Sequence, residues 1–170
     1  MAGKASNAGG PQTRNLEAHI LIVEARFYED IADQMVAGAV AVLEAHGCTF
    51  VRLAVPGALE ISQVLSAAIE AGRFEPAFDG ETSFDGMIAI GCVVRGETYH
   101  FEVVCDNANH WLMEVASLEG VPVGNAILTV DTMAQAEERA KGGADGKGGD
   151  AARACLRVIE IRRGFEPSES

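Results

Sequence analysis

Along the chain, short β-branched apolar runs alternate with longer stretches in which apolar residues recur every three or four positions. Ile20-Leu21-Ile22-Val23 is the first short run and predicts a buried strand. Beyond Arg26-Phe27-Tyr28-Glu29-Asp30, apolar residues fall at Ile31, Met35, Ala39, Val42 and Leu43. That is the spacing of one helix face, and Gly47 stands where a helix C-terminus takes glycine. Residues 49–55 predict a second strand, cut off by Pro56-Gly57. Ile61, Val64, Leu65, Ala68 and Ile69 then mark a second helix that ends at Gly72. Residues 74–85 carry Pro76, Gly80 and four acids without periodicity and predict a surface loop. Met87-Ile88-Ala89-Ile90 predicts a third strand running into Gly91, and a helix follows over about residues 100–118, stopped by Gly120. Residues 121–128 predict a fourth strand, whose Pro122 and Gly124 place it at an edge. Thr132 with Gln135 makes a capping box for a short helix to Ala140. After the glycine-rich residues 142–149, Ala151, Ala154, Cys155, Val158 and Ile159 mark a last helix.

Strands alternating with helices build a parallel sheet covered on both faces, an α/β chain folded as a three-layer α/β/α sandwich around four strands. Ligands in such folds bind beyond the carboxyl ends of the strands. The search for a site is thereby confined to residues 24–27, 55–60 and 91–100 and to the segment from Thr129 onward. A length of 170 residues suits one domain. Its expected span is 16–166, after a small, polar, glycine-rich leader over 1–15 and before a tail over 167–170. Thirteen Lys and Arg against twenty-five Asp and Glu leave a net charge of −12, which argues against nucleic acid or an anionic membrane as partner. The longest apolar runs fall far short of the ~20 residues of a membrane span, and no secretory pattern opens the chain. The cytoplasm is therefore the expected compartment, with Cys48, Cys92, Cys105 and Cys155 as reduced, buried thiols.

Several familiar chemistries lack their residues. No GxGxxG follows the first strand, and Gly142-Gly143-Ala144-Asp145-Gly146-Lys147-Gly148 follows a helix and has no Ser or Thr after its Lys, so it is no P-loop. His100 and His110 are too far apart for a pair of metal ligands on one helix face. The most informative stretch is Gly91-Cys92-Val93-Val94-Arg95-Gly96-Glu97-Thr98-Tyr99-His100. A helix starting near its end aims free N–H groups outward beside the Thr98 hydroxyl, an arrangement that takes phosphate, and His100, one turn inside, can exchange a proton. The alternative is that Thr98 only caps the helix and His100 is a surface residue. Phe27 reads either as a staple for the first helix or as a stacking platform for a flat heterocycle. Glu60 reads either as a first-turn acid or as an acceptor for ligand hydroxyls. Seven of the thirteen basic residues, beginning with Arg139, fall in the last 32 positions, as a solvated face or as part of an anion site.

Four segments together resemble the 6,7-dimethyl-8-ribityllumazine synthase family: Glu24-Ala25-Arg26-Phe27-Tyr28, Val55-Pro56-Gly57-Ala58-Leu59-Glu60-Ile61, residues 91–100, and Gln135-Ala136-Glu137-Glu138-Arg139-Ala140 with the later Lys147-Gly148. The resemblance runs from about Ile20 to Phe165. It implies a flavodoxin-like fold and a cofactor-free condensation of 5-amino-6-(D-ribitylamino)uracil with 3,4-dihydroxy-2-butanone 4-phosphate, a step of riboflavin biosynthesis. It also implies roles. Phe27 would stack on the pyrimidine, Ala58, Leu59 and Glu60 would hold the ribityl chain, and Cys92, Val93 and Val94 would present backbone groups to the uracil edge. Glu97 and Thr98 would bind phosphate, and His100 would donate or shuttle the proton. Arg139 would reach the phosphate, with Lys147 and Asp150 as polar partners. Sites of the family lie between subunits of a homopentamer, so small-molecule substrates and a second copy of the chain are the expected partners.

Three departures from the family pattern stand out. Asn125 replaces an aromatic residue that many members place against a neighbour's ligand. The loop Lys141-Gly142-Gly143-Ala144-Asp145-Gly146 differs from the usual one near contacts between pentamers, and residues 74–85 are long. All three favour a free pentamer over a sixty-subunit shell. The rival readings are a catalytically weak paralogue that binds riboflavin-like ligands and a flavodoxin-like binding module. Two features argue against the module: Glu24-Ala25-Arg26-Phe27-Tyr28 stands where a flavin-mononucleotide loop has a Ser/Thr-rich turn, and Gly91-Cys92 ends the third strand where a phosphate-receiver domain has Asp.

Overall fold

A computed structural model describes residues 15–76 and 82–166. The strands are β1 (His19–Ala25), β2 (Thr49–Val55), β3 (Gly86–Val94) and β4 (Val123–Val130). They form one parallel sheet in the order β2-β1-β3-β4. Between and after them run α1 (Glu29–Ala45), α2 (Leu59–Glu70), α3 (His100–Glu119), α4 (Met133–Ala140) and α5 (Lys147–Phe165). The three-layer architecture expected from the alternation is the one observed. Residues 1–14 of the expected leader, residues 77–81 in the 74–85 loop and the tail over 167–170 lie outside the described residues.

The central strands are apolar at nearly every position because both of their faces are covered. Ile20 and Ile22 of β1 with Ile88 and Ile90 of β3 pack against α1, α4 and α5. Leu21, Val23, Met87 and Ala89 point the other way, into α2 and α3. Glycine sets how closely the first of these layers fits. A Cβ at Gly148 would stand 1.9 Å from the Met35 carbonyl oxygen, and one at Gly124 would stand 2.0 Å from that of Ala151. Gly124 thus marks the seat of α5 on β4. The strand does lie at an edge, as expected, but this glycine answers to packing.

Several boundaries move. β1 runs two residues past Val23 because Glu24, although charged, is buried, and β3 runs on to Val94 because Cys92-Val93-Val94 pairs with Leu128-Thr129-Val130. The last helix begins at Lys147, inside the glycine-rich stretch, after a 3₁₀ turn at Gly143–Asp145. The 74–85 loop is anchored at both ends. Phe84 is buried, stacks on the His19 ring at 5.0 Å and lies 5.8 Å from Phe74. The capping box of α4 is displaced by one residue: Thr132 accepts from the Gln135 N–H at 3.2 Å, while the Gln135 side chain accepts from Asp131 N–H at 2.8 Å. Cys48, Cys92 and Cys155 are buried as expected, but Cys105 is only half-buried, on α3. Among the described residues no helix is long and apolar enough to cross a membrane.

Candidate functional site

The carboxyl ends of β1, β2 and β3 open onto a cavity of about 280 Å³, near the lower end of the roughly 300–1,000 Å³ typical of small-molecule sites. Each wall comes from a different strand end. The β1–α1 turn supplies Phe27 and Tyr28, and the β2–α2 turn with the start of α2 supplies Gly57, Ala58, Leu59 and Glu60. The end of β3 supplies Cys92, Val93 and Val94, and beyond it lie Thr98 and His100. Residues separated by more than seventy positions thus meet at one rim, where the topology of a parallel sheet brings them.

Phe27 is 73 % exposed and meets Tyr28 edge-on, with ring centroids 4.9 Å apart. A staple would be packed onto the first turn of α1, so of the two readings the exposed platform is the one its position fits. The turn that carries Phe27 is held from beneath by a charge network. Glu24, 4 % exposed, accepts from Arg52 Nε at 3.1 Å and Nη2 at 2.9 Å on one oxygen, and from Arg26 Nη1 at 3.2 Å on the other. Arg26 also donates to Asp33 on α1 at 2.8 Å, which holds the Asp33 carboxyl below the usual carboxylate range. A buried carboxylate needs such partners to offset its desolvation. An acid inside an apolar run with arginines at 26 and 52 is the sequence signal that could have predicted this network.

At the third strand end, Thr98 does not cap α3. The N-cap is Tyr99, whose side chain makes no capping hydrogen bond, so the start of α3 is left without a side-chain cap from that residue. His100 is the first residue of α3, not one turn inside it. Both side chains therefore stand at the positive end of the helix dipole. Glu60 lies in the first turn of α2, and a Cβ on Gly57 would meet its Oε2 at 3.2 Å. Burial pushes the Cys92 thiol up to about 11, so at neutral pH it is a protonated, unreactive wall.

Five expected residues do not line this cavity. Glu97 is exposed on the loop beside it. Asn125 is committed elsewhere: its Nδ2 donates to Asn109 Oδ1 at 2.8 Å, and its Oδ1 accepts from Ile127 N–H at 2.9 Å. Lys147 and Asp150 pair with each other at 3.5 Å in the first turn of α5. Arg139, on α4, donates to the Gln135 carbonyl at 3.2 Å and has no carboxylate partner among the described residues. The other late basic residues are engaged: Lys141 with Glu138, Arg153 with Asp145, Arg157 with Glu160, and Arg163 with Asp85. Tyr28, Gly57, Gly96, Phe101 and Val104 line the cavity without having been singled out. Phe101 and Val104, one and four positions after His100 on α3, were legible from helical spacing.

The profile of the 6,7-dimethyl-8-ribityllumazine synthase family matches residues 17–163. The chain is 46% identical over 158 residues to a protein of that name from Azorhizobium caulinodans, covering 93% of both chains. It is 49% identical over 152 residues to 6,7-dimethyl-8-ribityllumazine synthase 1 of Rhodopseudomonas palustris, covering 89% of this chain and 90% of that one. It is 44% identical to the Bartonella bacilliformis protein of the same name, covering 91% of this chain and 96% of the relative.

Proposed function

The chain belongs to the 6,7-dimethyl-8-ribityllumazine synthase family, and from that premise we propose that it is a transferase of riboflavin biosynthesis. It condenses 5-amino-6-(D-ribitylamino)uracil with 3,4-dihydroxy-2-butanone 4-phosphate and releases phosphate and water. The observation that carries the reading is the gathering of Phe27, Glu60, Thr98 and His100 around one cavity at the strand ends. They supply a stacking surface, an acceptor for hydroxyls, a helix terminus for phosphate and an imidazole that can hand over a proton.

The chemistry asks for what these residue types offer. The pyrimidine amine attacks the ketone carbonyl and loses water to give an imine. Phosphate then leaves, and the ribityl-bearing nitrogen closes the ring with loss of a second water. Phe27 stacks on the pyrimidine, Ala58, Leu59 and Glu60 hold the ribityl chain, and the main chain at Cys92, Val93 and Val94 faces the uracil edge. Glu97 and Thr98 with the head of α3 hold the phosphate, and His100 moves the proton. A placed acid or base contributes ~10²–10⁴ in rate, so positioning of two substrates supplies much of the rest.

The site is completed by a second copy. Arg139, Lys147 and Asp150 lie outside the cavity of their own chain, and Arg139, with no carboxylate partner among the described residues, suits a phosphate presented by a neighbour. Exposed Val103 and Trp111 on α3 and Val51 and Leu53 on β2 are apolar surface for such a contact. A homopentamer is the assembly that fits the family, and the cytoplasm is its place. The test is incubation with both substrates while lumazine fluorescence and free phosphate are followed. Equal formation of the two products supports the reaction, and tight ligand binding without product would make the chain a binding paralogue.

A further inference from the structure

The loop between β3 and α3 is tied down by a residue outside the cavity wall. Arg95 follows the last residue of β3, and its main-chain N–H donates to the Val130 carbonyl at 2.9 Å, carrying the β3–β4 ladder one step beyond the strands. Its Nε donates to Asp131 Oδ1 at 2.7 Å, in the turn that leads into α4. Its Nη1 pairs with Glu102 in the first turn of α3. The guanidinium carbon lies 4.3 Å from the centroid of Phe101, whose ring lines the cavity. One side chain therefore joins three segments, with a planar fork that two carboxylates and an aromatic face can each use and that an ammonium cannot copy.

We propose that Arg95 is a positioning residue for the phosphate loop: by clamping Asp131 and Glu102 and lying on Phe101, it fixes Gly96-Glu97-Thr98 and the head of α3 in the geometry that receives the substrate phosphate. The inference rests on the reaction proposed above. Arg95 is not itself the phosphate ligand, because two carboxylates already occupy its guanidinium and the trio carries a net negative charge. Loss of the clamp frees the loop and also leaves two uncompensated carboxylates beside an anion site, and both effects weaken phosphate. Phe27 stands on the β1–α1 turn, Glu60 in the first turn of α2, and Cys92-Val93-Val94 are held by pairing with Leu128-Thr129-Val130, so recognition of the pyrimidine partner is untouched.

The experiment is steady-state kinetics with each substrate varied in turn for the wild-type protein, Arg95→Ala, Arg95→Lys and Asp131→Asn. Titration with inorganic phosphate, thermal melting and sedimentation accompany it. The expected result for Arg95→Ala is a rise of at least about tenfold in KM for the phosphate substrate and a similar loss of inorganic phosphate affinity, the size set by losing charge-assisted contacts. KM for the pyrimidine stays within about twofold. Arg95→Lys does not restore the wild-type KM, and Asp131→Asn gives a smaller rise in the same sense. Equal changes in both KM values, full rescue by lysine, or unchanged phosphate affinity in a folded, assembled variant overturns the proposal. Should Arg95→Ala fail to fold, Asp131→Asn, altered at the surface, decides. A wild-type protein that makes no product sinks the reaction and leaves the phosphate titration to judge the clamp.

Discussion

The two faces of the sheet are built differently. On one face α1 buries eight residues and α5 seven, with glycines letting the backbones close to contact. On the other, α2 buries only Ile61 and Leu65, and α3 only Ala108, Leu112 and Ala116, while Trp111 remains 50 % exposed. The edge strand β2 shares this openness, with Val51 and Leu53 turned toward solvent. The closed layer is finished by the chain itself. The open layer has the apolar surface of an interior but lacks the cover, as a subunit surface does. The candidate cavity sits on the open side, between α2, α3 and the strand ends, whereas Arg139 belongs to the closed layer. A site that needs both is therefore most simply assembled from the open side of one chain and the closed side of the next.

This contrast can be broken on purpose. The largest effect is expected from Trp111→Glu, which places a charge on the open face. Sedimentation should show dissociated chains with native far-UV dichroism, and turnover should fall to background. A fully assembled, active variant would remove α3 from the interface. His100→Ala should leave assembly intact and slow turnover by ~10²-fold or more without abolishing it, as for one lost proton donor, and complete loss would mean that proton transfer dominates. The closed face responds in stability: Met35→Ala, at a fully buried position, should cost about 2–5 kcal/mol in denaturant unfolding. Arg139→Ala should raise KM for the phosphate substrate about tenfold, as loss of a charge-assisted contact does. Mixing subunits of Arg139→Ala with subunits of His100→Ala should regain activity, because some interfaces then pair an intact His100 with an intact Arg139. No regain would place both residues in one chain's site.

The smallest effect comes from pH. The Cys92 thiol is pushed up to about 11 and Cys155 to about 12, both chiefly by burial. In the unfolded chain these thiols ionise near their ordinary values, so above about pH 8.5–9 the unfolded state holds fewer protons and stability falls as pH rises. Below that range the contribution is constant. Melting temperature should therefore be flat on this account through neutral pH and decline in the alkaline range, and Cys155→Ala should flatten part of the decline.

Much of the fold was legible because it rests on local patterns. Ile20-Leu21-Ile22-Val23 and Met87-Ile88-Ala89-Ile90 are too apolar for anything but doubly covered strands, and Gly47, at φ +67°, ends α1 where a left-handed residue is needed. The candidate cavity was legible as segments: Phe27, residues 58–60 and Cys92, Val93, Val94, Thr98 and His100 line it together. What misled was chemistry that depends on distant partners. Glu24 ended the predicted first strand because a carboxylate inside a sheet is excluded unless arginines arrive from elsewhere, and Arg52 arrives from β2. The alternative in which Thr98 only caps α3 fails because the loop geometry puts Tyr99 at the N-cap, and His100, expected one turn inside the helix, is its first residue.

The sequence by itself determined the alternation of strands and helices, the parallel sheet that follows from it and the rim at which a site must lie, since periodicity and turn residues act over a few positions. Only the tertiary structure decided which apolar stripes are buried and which stay open, and it alone showed that the Asn125 side chain is already satisfied and that Arg95 joins Asp131, Glu102 and Phe101. Those outcomes depend on the register between strands and on the approach of helices far apart in the chain, where contacts of a few ångströms decide what no local pattern encodes.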